Sequence, residues 1–392
     1  MLRSSTSSNQ VSSTSSYKGF TVLFTFVLFS FLTACNPKDT AIAPQAVESA
    51  DLSTSVMSTN QLANMVVDSN STLRSVASFP IGAAPNYHLL VNSSKVYNLF
   101  SNQFNSVTAH AYMNIEYAPS KFNFSEADYW TNYTNNKQIR MHGHCLLYHM
   151  ATPDWLSNYS GSTNDFEKVI KNHIQTIVSR YKGKFKSWDV TNEIITGNGT
   201  LRNTSFRKLY KNDEDYMNFI KKCFVWAHES DPNALLFYND FDYEVSAAKI
   251  DAVVKMINDF KKSGIPIHGL GTQMHISIKT PESGIANSLR KLADTGLQIH
   301  ISELDIKVNV QNETNFTCTN ALQNEQSLKF YNLVKLYKSN VPSYLQYGIT
   351  MWDLSDADSW LVTAQKPEMP TLFDKEYNKK SSFYGILNAL KQ

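Results

Sequence analysis

The chain has 392 residues, 42% hydrophobic and 18% charged, enough apolar material for one large domain or two small ones. Its formal charge is +2, and the first 35 residues carry only Arg3 and Lys18, so the remainder balances acid against base. That balance gives no electrostatic reason to expect a nucleic-acid partner. An aromatic content of 12% suits stacking on the apolar faces of sugar rings, as well as core packing.

In chain order, Arg3 and Lys18 precede an apolar stretch, Phe20 to Leu32, too short to span a bilayer as a helix. It ends Leu32-Thr33-Ala34-Cys35, small residues directly before a cysteine. This resembles the lipobox of bacterial lipoproteins, which implies a signal peptide over 1–35, a lipidated Cys35 and a protein anchored to a membrane of the bacterial envelope. A plain signal peptide cut nearby is the alternative. Residues 36–78, poor in large apolar side chains and rich in Ser, Thr, Asn and Ala, read as a flexible tether with one frayed helix near Leu62 to Val67. Cys145, Cys223 and Cys318 are too widely spaced for a disulfide framework or a zinc site, and Cys145 and Cys223 are expected as buried thiols.

From Phe79 onward, strand-like runs alternate with amphipathic stretches. The expected strands are 79–83, 104–109, 139–149, 185–193, 234–240, 269–275, 298–305 and 346–353. Helical periodicity is clearest over 165–181, 215–229, 245–262 and 322–339, with a last helix over 382–390. This pattern predicts an α/β fold, a (β/α)8 TIM barrel forming a single catalytic domain over 79–392, with active groups at the C-terminal strand ends. A doubly wound open sheet is the alternative, but no Gly-rich phosphate fingerprint follows the first strand.

Two of these runs end on glutamates, Glu193 and Glu303. Glycoside hydrolysis needs two carboxylates from separate elements facing across one bond. Period-2 alternation puts Gln273, His275 and Ser277 on one face, and Glu303 with Asp305 on the next strand. A histidine and an aspartate beside Glu303 can hold it ionised and oriented, as a nucleophile requires. Asn192 and Glu193 are adjacent, so both reach the barrel mouth only if the strand bends or ends there.

Trp188-Asp-Val-Thr-Asn-Glu193, Ile301-Ser-Glu-Leu-Asp-Ile306, Gly271-Thr-Gln-Met-His275 and Gly348-Ile-Thr-Met-Trp352 together resemble family-10 glycoside hydrolases, chiefly endo-β-1,4-xylanases. So do Phe79-Pro-Ile-Gly82, Phe104 to Ala109, Gly143-His144, Tyr238-Asn-Asp240 and Asp356-Ala-Asp-Ser-Trp360, in the family's order. The resemblance implies a retaining mechanism with Glu193 as acid/base and Glu303 as nucleophile, their carboxyls about 5–5.5 Å apart. It implies that His275, Asp305 and Gln273 tune the nucleophile. Asn192 and His144 would bind the sugar, Trp352 and Trp360 would wall its subsite, and no cofactor or metal would be needed. The partners implied are a polysaccharide, xylan or a related β-glycan, and the membrane through the lipid anchor, with the enzyme a monomer.

Departures cluster at the second sugar on the non-reducing side. Where the family usually has Glu-Asn-x-x-Lys-Trp, this chain has His110-Ala111-Tyr112-Met113-Asn114-Ile115, and Tyr148-His149-Met150-Ala151 stands in place of Trp-His-Ser-Gln. His110, Asn114 and Tyr148 are the expected substrate contacts there. Asp242 replaces a usual Asn and Asp353 a usual Gly. Action on a decorated xylan, another β-glycan or an aryl glycoside is the alternative within the same mechanism. A non-catalytic glycan-binding barrel is the third reading.

Overall fold

The computed structural model describes residues 71–135 and 137–392. The signal segment, Cys35 and the helix expected at Leu62 to Val67 lie outside the described residues. Eight parallel strands close on themselves: β1 (Ile81–Ala84), β2 (Ser106–His110), β3 (Arg140–Leu147), β4 (Ser187–Asn192), β5 (Leu235–Asp240), β6 (Gly269–Thr272), β7 (Gln298–Lys307) and β8 (Gln346–Trp352). Neighbours in sequence pair in parallel, and β8 pairs with both β7 and β1, where Ile81 faces Ile349. Closure removes the open edge that a sheet would otherwise expose. The molecule is a (β/α)8 barrel, as the alternation of runs predicts.

A main helix follows each strand: α1 (Ser94–Gln103), α2 (Ser125–Thr134), α3 (Thr163–Arg180), α4 (Asp213–Ser230), α5 (Ala247–Lys262), α6 (Glu282–Ala293), α7 (Asn320–Asn340) and α8 (Ser381–Lys391), with shorter helices such as Tyr87–Asn92 and Asp154–Ser157 in the connections. Several begin where a short polar side chain accepts an orphan amide. The Ser162, Asn212 and Ser246 side chains take the N–H of Asp165, Asp215 and Lys249 respectively. α3 turns Phe166, Ile170, Ile174 and Ile177 inward, a three-to-four-residue stripe that packs on the strands. Truncating Phe166 to alanine would cost roughly 3–5 kcal/mol.

The barrel begins earlier than the sequence pattern indicates. Leu73 is fully buried, and its N–H donates to the Gln103 side chain at 3.1 Å. Residues 71–78 therefore belong to the barrel rather than the tether, because a single leucine in a polar stretch carries no periodicity to reveal it. Cys145 and Cys223 are buried free thiols, as expected. The sixth strand stops at Thr272, short of the expected His275, because Met274 adopts φ +58°, off the extended backbone. The chain resumes as a separate short strand, His275–Ser277, paired with the end of β7.

Candidate active site

The mouth of the barrel is built where β4, β5, β6 and β7 end. β4 stops at Asn192, and Glu193 takes φ +56°, a left-handed conformation uncommon outside glycine. That turn answers the alternation problem: the amide and the carboxylate both enter the mouth because the strand ends between them. Asp242 and Asp353, which stand where the family usually has Asn and Gly, also have positive φ, +63° and +68°. Asp is among the few other side chains that visit this region, so these two departures preserve backbone geometry.

On one side lies Glu303, from β7. Asn239 Nδ2 donates to its Oε1 at 2.6 Å, and His275 Nε2–H to its Oε2 at 3.2 Å. His275 Nδ1–H donates in turn to Asp305 Oδ2 at 2.8 Å, which also accepts the Trp360 indole N–H at 2.9 Å. Burial alone would lower the His275 pKa, but Asp305 and Glu303 together push it up to about 10. The side chain is therefore an imidazolium that clamps both carboxylates. His144 Nε2 lies 3.9 Å from Glu303 Oε1, while its Nδ1 contacts Asp189 at 2.7 Å. Burial opposes charge on His144, yet neighbouring Cys145, Glu303 and Asp189 hold its pKa well above the ordinary value.

Across from it, Glu193 Oε1 accepts from the Tyr148 hydroxyl at 3.0 Å, Gln273 Nε2 at 3.0 Å and Asn192 Nδ2 at 3.2 Å. This corrects two expectations. The Gln273 side chain is a partner of Glu193 rather than a group tuning Glu303, and the Tyr148 hydroxyl, expected at the second sugar, contacts the Glu193 carboxylate. The amide that holds Glu303 is Asn239, to which sequence reasoning gave no role. Asn239 Nδ2 also donates to Asn192 Oδ1 at 3.0 Å, so two amides link the carboxylates across the mouth. Asn239 fits because Gly271 lies beside it, where a Cβ would come within 2.0 Å of its Oδ1.

Both glutamates line one cavity of about 420 Å³ with Tyr112, His144, Tyr148, Trp352 and Trp360. Trp360 stands 56% exposed at the rim, tied by its indole to Asp305 and by its backbone N–H to Asp353 Oδ2 at 3.0 Å. Burial pushes the Asp353 carboxyl up to about 8. His110 and Asn114 do not line this cavity. They face a second one behind Tyr112, whose ring stacks on His110 at 5.1 Å and meets His144 edge-on at 5.5 Å. Among the described residues, no group of three or more His, Cys, Asp or Glu side chains is placed to hold a metal ion.

The raised His275 pKa makes stability depend on pH. A pKa raised from 6.5 to about 10 on folding contributes stability that is complete below pH 6.5 and lost as pH rises through about 10. At roughly 1.4 kcal/mol per pH unit, the contribution should be on the order of 5 kcal/mol. Urea denaturation of the protein and His275→Gln should therefore differ most at about pH 6, and the gap should shrink through neutral pH and close by about pH 10. A gap constant over that range would contradict a charged His275.

A profile of glycosyl hydrolase family 10 matches residues 71–389. The chain is 34% identical over 341 residues to endo-beta-1,4-xylanase Xyn10C of Cellvibrio japonicus, covering 80% of this chain and 56% of that protein. It is also 34% identical over 333 residues to endo-1,4-beta-xylanase A of Caldicellulosiruptor sp. (strain Rt8B.4), covering 79% and 46% respectively. The chain thus spans about half the length of these two relatives. A mutant of xylanase 10C from Cellvibrio japonicus in complex with xylopentaose superposes with TM-score 0.77 at 32% identity, over 83% of this chain and 70% of that one. A family member from Paenibacillus barcinonensis superposes with TM-score 0.75 at 30% identity, over 82% and 97%.

Proposed function

The chain belongs to glycosyl hydrolase family 10, and on that footing we propose that it is a retaining endo-β-1,4-xylanase, cutting internal β-1,4 bonds of xylan. The observation that carries this reading is the pair of glutamates on separate strand ends, facing one cavity with distinct partners. Glu303 is held by donors, Asn239 and the imidazolium of His275, which favour its ionised form and aim it. It attacks the anomeric carbon while Glu193 passes a proton to the departing oxygen, leaving a glycosyl ester on Glu303. Glu193, now a carboxylate, accepts a proton from water as that water hydrolyses the ester, so the product keeps its β configuration. Trp352 and Trp360 offer the sugar two aromatic faces.

The test is hydrolysis of a panel of β-1,4-glycans, with product lengths and the anomer first formed read by NMR. Internal cleavage of xylan with β product supports the reading. An α product first, or cleavage of another glycan with none of xylan, overturns it.

We also propose that Cys35 carries lipid and that the residues after it tether a monomeric enzyme to a bacterial envelope membrane. The support is the small-residue run before Cys35 and the short apolar stretch preceding it. In the native host, Cys35→Ala should move the protein from the membrane to the soluble fraction. Unchanged fractionation would count against the anchor.

A further inference from the structure

We infer that the cavity behind Tyr112 receives a neutral, hydroxyl-bearing branch sugar carried by the xylan backbone. This rests on the xylan-cleaving reading and adds the kind of substrate that the site selects.

The cavity, about 300 Å³, lies at the small end of the range for ligand pockets, a size for one ring rather than a chain. It adjoins the catalytic cavity through a shared wall. The Tyr112 ring lines both, stacking on His110 on one side and meeting His144 edge-on on the other. The Trp352 ring, a wall of the catalytic cavity, also packs edge-on against His110 at 5.4 Å. The pocket therefore adjoins the catalytic cavity on the side of His110 and Asn114, and a branch on the second sugar from the cleaved bond, leaving the backbone past Tyr112, enters it.

Tyr87, His88, His110, Asn114, Asn123 and Glu126 supply polar groups for hydroxyls, beside the apolar surfaces of Tyr112, Ile115 and Ala127. The pocket offers no cation: among the described residues that line it, Glu126 is the only carboxyl and there is neither lysine nor arginine. The carboxyl lies 3.7 Å from His110 Nδ1, and burial of that histidine, with His144 nearby, lowers its pKa to about 3, leaving it neutral. Burial also pushes Glu126 up to about 7, a further sign that negative charge is poorly tolerated here. A uronosyl branch would bring its carboxylate beside the Glu126 carboxyl, into a pocket with no cation to meet it. A neutral pentosyl branch brings only hydroxyls, which Asn114 and Asn123 can hydrogen-bond. Asn114 stands exposed at the rim, so changes there alter the entrance without disturbing the core.

The experiment compares kcat/KM on three xylooligosaccharides: linear, bearing one neutral pentosyl branch, and bearing one uronosyl branch. Cleavage of the pentosyl-branched substrate should leave the branch on the second sugar from the new reducing end, and the pentosyl substrate should exceed the uronosyl one by roughly tenfold or more. Asn114→Trp, which fills the entrance, should lower the pentosyl-to-linear ratio roughly tenfold. Asn114→Arg, which supplies the missing cation, should raise the uronosyl-to-pentosyl ratio by a similar factor. Linear cleavage with no branch found at that sugar, or ratios indifferent to both variants, overturns the inference while the xylanase reading stands. Equal use of the two branched substrates overturns the charge argument and the inference with it. If the folded protein cleaves none of the three, the xylanase reading itself fails.

Discussion

Replacing Glu303 with alanine should abolish turnover on every substrate, natural or activated, by on the order of 10⁵-fold or more. The reason is positional. Glu303 sits on β7 with its two oxygens separately engaged, Oε1 by Asn239 and Oε2 by His275, so its orientation is fixed before substrate arrives. No other carboxylate stands in the same place: Asp305, two residues on, is committed to His275 and Trp360. Without Glu303 no covalent intermediate forms, and a better leaving group cannot compensate because nothing attacks. The alanine also opens a small void beside a protonated histidine and an amide, both of which would attract an anion. A small anionic nucleophile such as azide, bound there, should attack from the face that Glu303 used and restore partial turnover of activated substrates, with inversion. Residual activity within tenfold of the parent, in a variant with unchanged thermal unfolding, would remove Glu303 from the nucleophile role.

The barrel was legible because each level of the sequence agrees with it. Buried parallel strands give continuous apolar runs, and capped amphipathic helices follow them. The helices not singled out show where such agreement is weakest. α2, Ser125 to Thr134, buries only Ala127, Trp130 and Tyr133, and its aromatic and Thr residues blur any stripe. The glutamates were legible from their positions at strand ends, but the partners were not. Strict alternation placed Gln273 with His275 on one face, whereas left-handed Met274 resets the backbone between them and sends the amide to Glu193. The hydrogen bond from Tyr148 to Glu193 was not legible, because a motif shows which ring is present and not where its hydroxyl points. Asn239 was within a quoted motif, yet its role depends on a glycine one strand away making room for it. Cross-strand relations of this kind are written in register, which no local window contains. His110 and Asn114 were legible as departures, but their separation from the catalytic cavity by Tyr112 depends on how one ring is oriented.

Glu193→Ala should divide substrates by their leaving groups. Glu193 lies opposite Glu303 at the end of β4, accepting three hydrogen bonds on one oxygen, from Tyr148, Gln273 and Asn192. Its first task is to protonate the departing sugar oxygen, a poor leaving group that needs the proton, and general acid catalysis of this kind is worth roughly 10²–10⁴-fold. Loss on xylan should fall in that range. An aryl glycoside with an acidic phenol leaves unaided, so the attack by Glu303, still clamped by Asn239 and His275, should slow by less than about tenfold. The second task suffers for both substrates, since no base remains to activate water against the glycosyl ester. The variant should therefore show a burst of phenol equal to the enzyme present, followed by slow turnover and a lowered KM as the intermediate accumulates. Tyr148, Gln273 and Asn192 lose their shared acceptor, which costs some stability but leaves Glu303 untouched. The deciding measurement is pre-steady-state release from the aryl glycoside beside steady-state cleavage of xylan. Equal loss on both, with no burst, would mean that Glu193 does not supply the proton.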